Sequence, residues 1–387
     1  MITKQNMKKS RILILVLLIC SGCSSPWLIE AENGLTNQNN AITEQQKELI
    51  YNHVKTFPNQ TQLSFAVIEN ENINFYGVKR VNDTLYDVIN HDKVFEIGSI
   101  SKVFTSTLLA NFVVDGRVKL DDKINEYLQV ALNDSIQISF RELSNHTSGL
   151  PRMPSNIAGF STFFHLRNPN KNYDKSKLEE YLVESLSVSG NRGEQRRYSN
   201  LGAGLLAHTL CNISESSYQR LLESYIFSRY QMTSSTTSRG DVKDKLVEGL
   251  DPFGNVTPNW DFGALAGAGA IMSTVSDLSK FALAQYDSTN KELQLTRVKT
   301  FSDTSNIGVG LGWHIVEETS GAEYYHHNGA TGGYTSSMAL DIEQRNGIII
   351  LSNVSAYNAN MSELDNLCFA LMKTLKIQEG TIEEASQ

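Results

Sequence analysis

Two segments near the start of the chain and four near its end show the pattern of strands, and the stretch between them reads mainly as helix. Gln62-Leu63-Ser64-Phe65-Ala66-Val67-Ile68 and Ile73-Asn74-Phe75-Tyr76-Gly77-Val78 are strand-like. The polar turn Glu69-Asn70-Glu71-Asn72 lies between them. Residues 44–56 place apolar side chains at helical spacing. Helical patterns then dominate to about residue 235, over 177–186, 201–211 and 218–227. Pro151, Pro154 and Gly159 mark a long loop inside this region. Strands return near 310–316, 322–326, 334–340 and 347–351, and an amphipathic helix covers 361–375. Strands at both ends with helices between them predict an α+β fold. The chain shows no internal repeat.

With 387 residues, 40% hydrophobic and 9% aromatic, the chain can bury a large core in two lobes. Its net charge of −8 argues against a nucleic-acid partner. Lys8, Lys9 and Arg11 precede the apolar run 12–19. That run is too short to span a bilayer and fits the core of a signal peptide. Cys20-Ser21-Gly22-Cys23 follows and resembles a bacterial lipobox, with Cys23 lipidated and Cys20 where leucine is usual. The expectation is a signal peptide at 1–22, a polar tether at 23–43 and an exported lipoprotein held on a membrane of the bacterial envelope. Ordinary cleavage would instead give a soluble periplasmic or secreted protein. Cys211 and Cys368 fall in apolar helical patterns and are expected as buried free thiols, with a disulfide between them the alternative in an oxidising compartment. No Cys/His spacing suggests a metal site. His326 and His327 are neighbours in a strand and point to opposite faces, so with His314 they make a poor zinc set.

Ser99-Ile100-Ser101-Lys102 stands out. Extended residues Val94-Phe95-Glu96-Ile97 end at Gly98, and Ser99 opens what reads as a helix. Positions i and i+3 share a helix face, so the Lys102 amine can reach the Ser99 hydroxyl. A serine needs a neighbouring base to become a nucleophile, and a desolvated lysine can serve. Such a spacing arises by chance about once in a chain of this length. Ser288-Thr289-Asn290-Lys291 is a second match, in a polar stretch, and reads as the chance one. After Lys102 comes the nearly uncharged run Val103-Phe104-Thr105-Ser106-Thr107-Leu108-Leu109-Ala110, the mark of a buried helix. A plain capping serine is the structural alternative.

Two more segments follow in order. Arg197-Tyr198-Ser199-Asn200 precedes an apolar helix, and His327-Asn328-Gly329-Ala330 precedes a strand. Taken singly, Tyr198 could be a core tyrosine, Asn200 a helix cap and the glycines a turn. Together with Ser99 and Lys102, the set resembles the three active-site elements of the penicillin-recognising serine hydrolases. These include class C β-lactamases, serine D-Ala-D-Ala carboxypeptidases, and related esterases and D-aminopeptidases. Asn145-His146-Thr147-Ser148-Gly149-Leu150-Pro151 resembles the family's segment between the first two motifs, the run from Gly267 to Leu278 its returning helix, and Leu311-Gly312-Trp313 its strand before the third motif. The resemblance covers roughly residues 60–375.

It implies an antiparallel sheet flanked by the terminal helices, with a helical lobe inserted. The α/β lobe would comprise 44–115 and 265–378, and the helical lobe 116–264. It also implies that Ser99 attacks a carbonyl while Lys102 and Tyr198 move the proton. Backbone N–H groups of Ser99 and Ala330 would hold the oxyanion, Asn200 the substrate amide, and His327 would orient Tyr198. Where class C β-lactamases carry Lys-Thr-Gly, this chain has His327-Asn328-Gly329. The Asn328 amide is expected to replace the missing hydroxyl at the substrate, and His327 to titrate near neutrality. The substrate is expected to be a D-Ala-D-Ala-type cell-wall peptide or a β-lactam, with no cofactor. An esterase on the same scaffold and a non-turnover penicillin-binding lipoprotein are the alternatives. The chain has no Gly-x-Ser-x-Gly elbow, which argues against an α/β-hydrolase.

Overall fold

The computed structural model describes residues 30–37, 40–157, 168–304, 306–319 and 321–376. The expected signal peptide, Cys20 and Cys23 lie outside the described residues. The first elements in chain order are β1 (Glu32–Asn33), α1 (Glu44–Val54), β2 (Gln62–Glu69), β3 (Asn72–Val81), β4 (Thr84–Asp87) and β5 (Phe95–Glu96). Helices follow: α2 (Ser101–Val114), α3 (Phe140–Ser144), α4 (Lys175–Glu184), α5 (Asn200–Ser214), α6 (Tyr218–Leu222) and α7 (Arg239–Val242). Next come β6 (Met272–Ser273), α8 (Val275–Gln285), α9 (Lys291–Arg297), β7 (Phe301–Ser302), β8 (Ile307–Val309) and β9 (His314–Glu317). The last are β10 (Glu323–Ala330), β11 (Thr335–Asp341), β12 (Asn346–Ser352) and α10 (Glu363–Met372).

Ten strands form one sheet in the order β1-β4-β3-β2-β12-β11-β10-β9-β8-β7, while β5 and β6 pair separately. The β2–β3 hairpin turns at Asn70 and Glu71, both with positive φ (50° and 64°). Two such residues match the right-handed twist of the strands they join. The first strands, from the start of the chain, pair directly with the last: Phe65 lies opposite Ile350.

Both faces of this sheet are buried, and the period of two divides the side chains between them. Leu63, Phe65, Val67, Ala339, Ile348 and Ile350 pack on one face with α1 and α10 residues such as Ile50, Leu367 and Leu371. Ala66, Ile68, Met338, Leu340, Ile349 and Leu351 face the other way, toward Phe104, Leu108 and the helical region. The uninterrupted run Ile348-Ile349-Ile350-Leu351 reflects this, since a strand covered on both faces has no polar side. The α+β class is therefore the observed one, and the terminal helices lie together on one face of the sheet.

Three expectations change in detail. Residues 310–316 are not one strand, because a turn with Gly312 at φ 75° separates β8 from β9. In the run from Gly267 to Leu278 the helix begins only at Val275, after the short strand β6. Part of the expected tether joins the sheet: β1 lies parallel to β4, and Ala31 and Leu35 are buried. Cys211 is half-buried and Cys368 buried, and both are free.

Candidate active site

Strand β5 leads through Ile97 to Gly98, which turns the chain at φ 50°. Ser99 sits in a single 3-10 turn, Gly98–Ile100, that runs straight into α2. The first twelve residues of α2 are all buried, so the helix holds this turn in the centre of the molecule. Lys102 follows one turn later and is only 2% exposed. Its Nζ lies 2.9 Å from Ser99 Oγ and donates to the Ala268 carbonyl at 2.6 Å. Burial, helped by the charge of Arg152, holds this amine well below the usual lysine range. A neutral amine has a lone pair and can take the serine proton. Ser288, by contrast, is exposed and makes no bond to Lys291.

Tyr198 precedes α5, and Ser199 caps that helix by accepting from Gly202 N–H at 2.8 Å. Asn200 is therefore not needed as the cap. Its Nδ2 reaches only Met153 Sδ at 3.5 Å, and its buried Oδ1 has no partner among the described residues. The Lys102 amine lies 4.9 Å from the centre of the Tyr198 ring and the Arg152 guanidinium 5.1 Å. Burial pushes the Tyr198 hydroxyl up to about 12, although the Ser99 hydroxyl, Arg152 and Arg196 pull it back. Tyr198 thus keeps its proton at neutral pH, while burial disfavours the extra proton of Lys102.

The edge of the site is β10. A Cβ at Gly329 would stand 2.0 Å from the Ile97 carbonyl and 2.8 Å from Ser99 N, so only glycine permits this approach. Thr331 N–H donates to Tyr334 O across the β10–β11 turn. Antiparallel pairing alternates, so the preceding Ala330 N–H points away from β11. On that side β10 pairs with β9 only as far as His326. The Ala330 N–H is left facing the Ser99 turn, beside Gly98.

Alternation along β10 also corrects the expectation for Asn328. Its amide donates to Asp365 of α10, which also accepts from Ser337 Oγ at 2.7 Å, and His326 lies 3.4 Å from the same carboxylate. Asn328 therefore faces the terminal helices and not the nucleophile. His327 does face the site, with its ring centre 6.4 Å from that of Tyr198.

The expected titration of His327 near neutrality is corrected as well. His327 is 1% exposed, and burial, His314 and Lys102 hold its pKa well below the usual value. Its Nδ1 lies 2.6 Å from the Asn328 carbonyl, an acceptor, so Nδ1 carries the hydrogen. The lone pair is on Nε2, which is buried with no partner among the described residues. His327 is thus an uncharged acceptor where the family pattern has a cation. Nitrogen NMR of the imidazole should show His327 neutral at about pH 6.5, where a free histidine is half protonated. Protonation of His327 at about pH 6–7 would contradict this environment.

Four residues of the site, His146, His314, Arg196 and Arg152, had no role there expected from the sequence, although His146 lies in one of the family-like segments. His146 packs on Tyr198 with ring centres 4.5 Å apart. His314 stacks on His327 at 4.9 Å and lies 2.5 Å from Arg196 Nη2. Burial and Arg196 push His314 down to about 3. Arg152 completes the set. All four depend on segments far apart in the chain, and no spacing could have picked them out. Among the described residues no cluster could hold a metal ion.

Comparison with known proteins places this geometry. A sequence model of the family described as Beta-lactamase matches residues 53–367. A beta-lactamase of Pseudomonas fluorescens is 27% identical over 65% of this chain and 69% of its own length. The D-alanyl-D-alanine-carboxypeptidase/endopeptidase AmpH of Escherichia coli (strain K12) is also 27% identical, over 74% of this chain and 77% of its own length. Among solved structures, a beta-lactamase/D-alanine carboxypeptidase from Pseudomonas syringae has a TM-score of 0.71 at 19% identity, covering 86% of this chain and 98% of its own. A class C beta lactamase from Rhodobacter sphaeroides has a TM-score of 0.69 at 17% identity, covering 86% of this chain and 99% of its own. The structural likenesses speak to the fold, and the sequence match over most of the chain assigns the lineage: this chain belongs to the beta-lactamase family of serine hydrolases.

Proposed function

We propose that this protein is an exported hydrolase that forms an acyl-enzyme at Ser99 and acts on D-Ala-D-Ala-type peptides or β-lactams. The observation that carries the reading is the buried, low-pKa amine of Lys102 at 2.9 Å from Ser99 Oγ. Ser99 Oγ attacks the carbonyl carbon, and its proton passes to Lys102 Nζ. The resulting oxyanion lies between the N–H groups of Ser99 and Ala330, each donor worth roughly 3 kcal/mol. The C–N bond then breaks, and the departing nitrogen takes a proton delivered through the Tyr198 hydroxyl, which Lys102 replenishes. Water attacks the ester in the second half, one of its protons goes back through the same groups, and the acid leaves as Ser99 regains its hydrogen. The free Asn200 Oδ1 suits an amide N–H of the substrate. The lone pair of His327 Nε2 suits the Tyr198 hydroxyl.

A second reading, an esterase, draws on the uncharged His327 and the averted Asn328, since β10 then offers no cation to a carboxylate on the leaving group. Labelling with a fluorescent penicillin followed by peptide mapping tests the shared chemistry, and the label is expected on Ser99. D-alanine release, nitrocefin turnover and short-chain p-nitrophenyl ester hydrolysis then separate peptidase, β-lactamase and esterase. A stable adduct with no turnover of any of the three would identify a penicillin-binding protein that does not hydrolyse.

Export and anchoring belong to the same proposal. If Cys23 carries lipid, the protein fractionates with membranes, and Cys23→Ser releases it or blocks its processing. One acyl chain binds only marginally, whereas two or more hold firmly. Wild-type protein recovered wholly in the soluble exported fraction would reject the anchor and leave the chemistry at Ser99 untouched.

A further inference from the structure

We propose that Arg152 holds a carboxylate on the acyl part of the substrate and so sets the specificity of this site; the inference rests on the acyl-enzyme reading above. Arg152 is exposed, yet it is fixed at both ends. Its carbonyl accepts the N–H groups of Asn200 at 2.9 Å and Leu201 at 3.2 Å, which ties its backbone to the first turn of α5. Its guanidinium lies 5.1 Å from the centre of the Tyr198 ring. A cation over a tyrosine face is attracted to it and is held in place.

Its charge is not consumed nearby. Arg196 is paired with Asp303 at 2.9 Å, whereas Arg152 has no carboxylate partner among the described residues. On the β10 side His327 is neutral and Asn328 is turned to Asp365. The fixed positive charge facing substrate therefore sits on the Tyr198–Asn200 side of the nucleophile. That is also where Asn200 Oδ1 lacks a partner, and an amide of the acyl chain would lie there. A guanidinium meets a carboxylate with two parallel hydrogen bonds, which gives direction as well as energy. The substrate class that fits is an acyl donor with an anionic group beyond its amide, such as a peptide with an acidic side chain.

The test uses two p-nitrophenyl esters, a hemiglutarate and the methyl ester of its free carboxylate, with the full enzyme. The readout is the ratio of their kcat/KM values, in which effects common to both esters cancel. Wild type is expected to prefer the hemiglutarate by about tenfold or more. Arg152→Gln should bring the ratio near one, and Arg152→Lys should keep part of it, because a lysine retains the charge without the fork. A wild-type ratio near one, or a ratio unchanged in Arg152→Gln, overturns the proposal. Hydrolysis of both esters that persists in Ser99→Ala overturns the nucleophile assignment, and Arg152 falls with it. Hydrolysis lost in Ser99→Ala with an unchanged ratio in Arg152→Gln sinks Arg152 alone.

Discussion

Ser99→Ala is expected to abolish covalent labelling by a fluorescent penicillin and to lower turnover of every substrate by about 10⁴-fold or more. In the proposed mechanism the Ser99 oxygen is the atom that forms the new bond and Lys102 is its base. Tyr198 holds its proton too tightly to be a nucleophile, with a pKa pushed up to about 12. The fold should survive. Ser99 lies in a 3-10 turn ahead of α2 and caps no helix through its side chain. The hydroxyl is also small, so its loss leaves no sizeable cavity. Intact-protein mass spectrometry after incubation with penicillin reads the adduct, and circular dichroism reads the fold. Ser288→Ala serves as the control, because its exposed side chain lies outside the site and its loss should leave the adduct unchanged. An adduct that persists in Ser99→Ala and disappears in Ser288→Ala would show that the wrong serine had been chosen.

Lys102→Met separates catalysis from stability. Methionine has nearly the length of lysine and no amine. Losing the base should reduce acylation by about 10²–10⁴-fold, and the fold should tolerate the change. Two effects oppose each other. The Ala268 carbonyl loses its donor, which costs about 1–3 kcal/mol when nothing replaces it. Against that, the native state no longer has to strip water from an amine that is 2% exposed. The pH dependence gives the sign. The folded pKa of Lys102 lies below the unfolded value near 10.5, so between the two the unfolded chain binds a proton that the native state does not. Stability of the wild type therefore falls as pH drops through that window. Lys102→Met lacks this term, and its melting temperature should fall less than that of wild type as pH drops from about 10 to 7. Thermal unfolding at several pH values, alongside the rate of penicillin labelling, checks both halves. Wild-type labelling in this variant would exclude Lys102 as the base, and collapse of the fold would make it a structural residue.

The role of Arg152 interacts with this result. Its charge is the second cause of the low Lys102 pKa, after burial. Substituting it should raise the lysine pKa and move the acid limb of kcat/KM to higher pH. This shift acts on all substrates alike, and for that reason the proposal for Arg152 is tested by a ratio of two substrates.

Much of the molecule was legible before its structure. The strands β2, β3, β11 and β12, the helices α1, α4, α5 and α10, and the uncharged, buried α2 follow from local pattern, whereas β10 was expected to end at His326 and runs on to Ala330. Periodicity is visible wherever an element keeps one face inside. The nearness of Ser99 and Lys102 followed from three residues of helical spacing. Tyr198 and His327 came from the order of motifs, and the structure puts both rings beside that pair.

What the tertiary structure alone decided was the state and direction of these groups. Asn328 looked like a substrate contact because it sits between His327 and Gly329, but the pleat of β10 turns it to Asp365, 37 residues later. His327 looked like a titrating group, but His314 and Lys102 arrive from other parts of the chain and burial keeps it neutral. Arg152 had no pattern around it, and its place over Tyr198 exists only because the chain after Pro151 is pinned to the first turn of α5. Sequence spacing fixes which atoms of one element share a face. Desolvation and charge are sums over neighbours from every element packed nearby, and those neighbours are named only when the chain has folded.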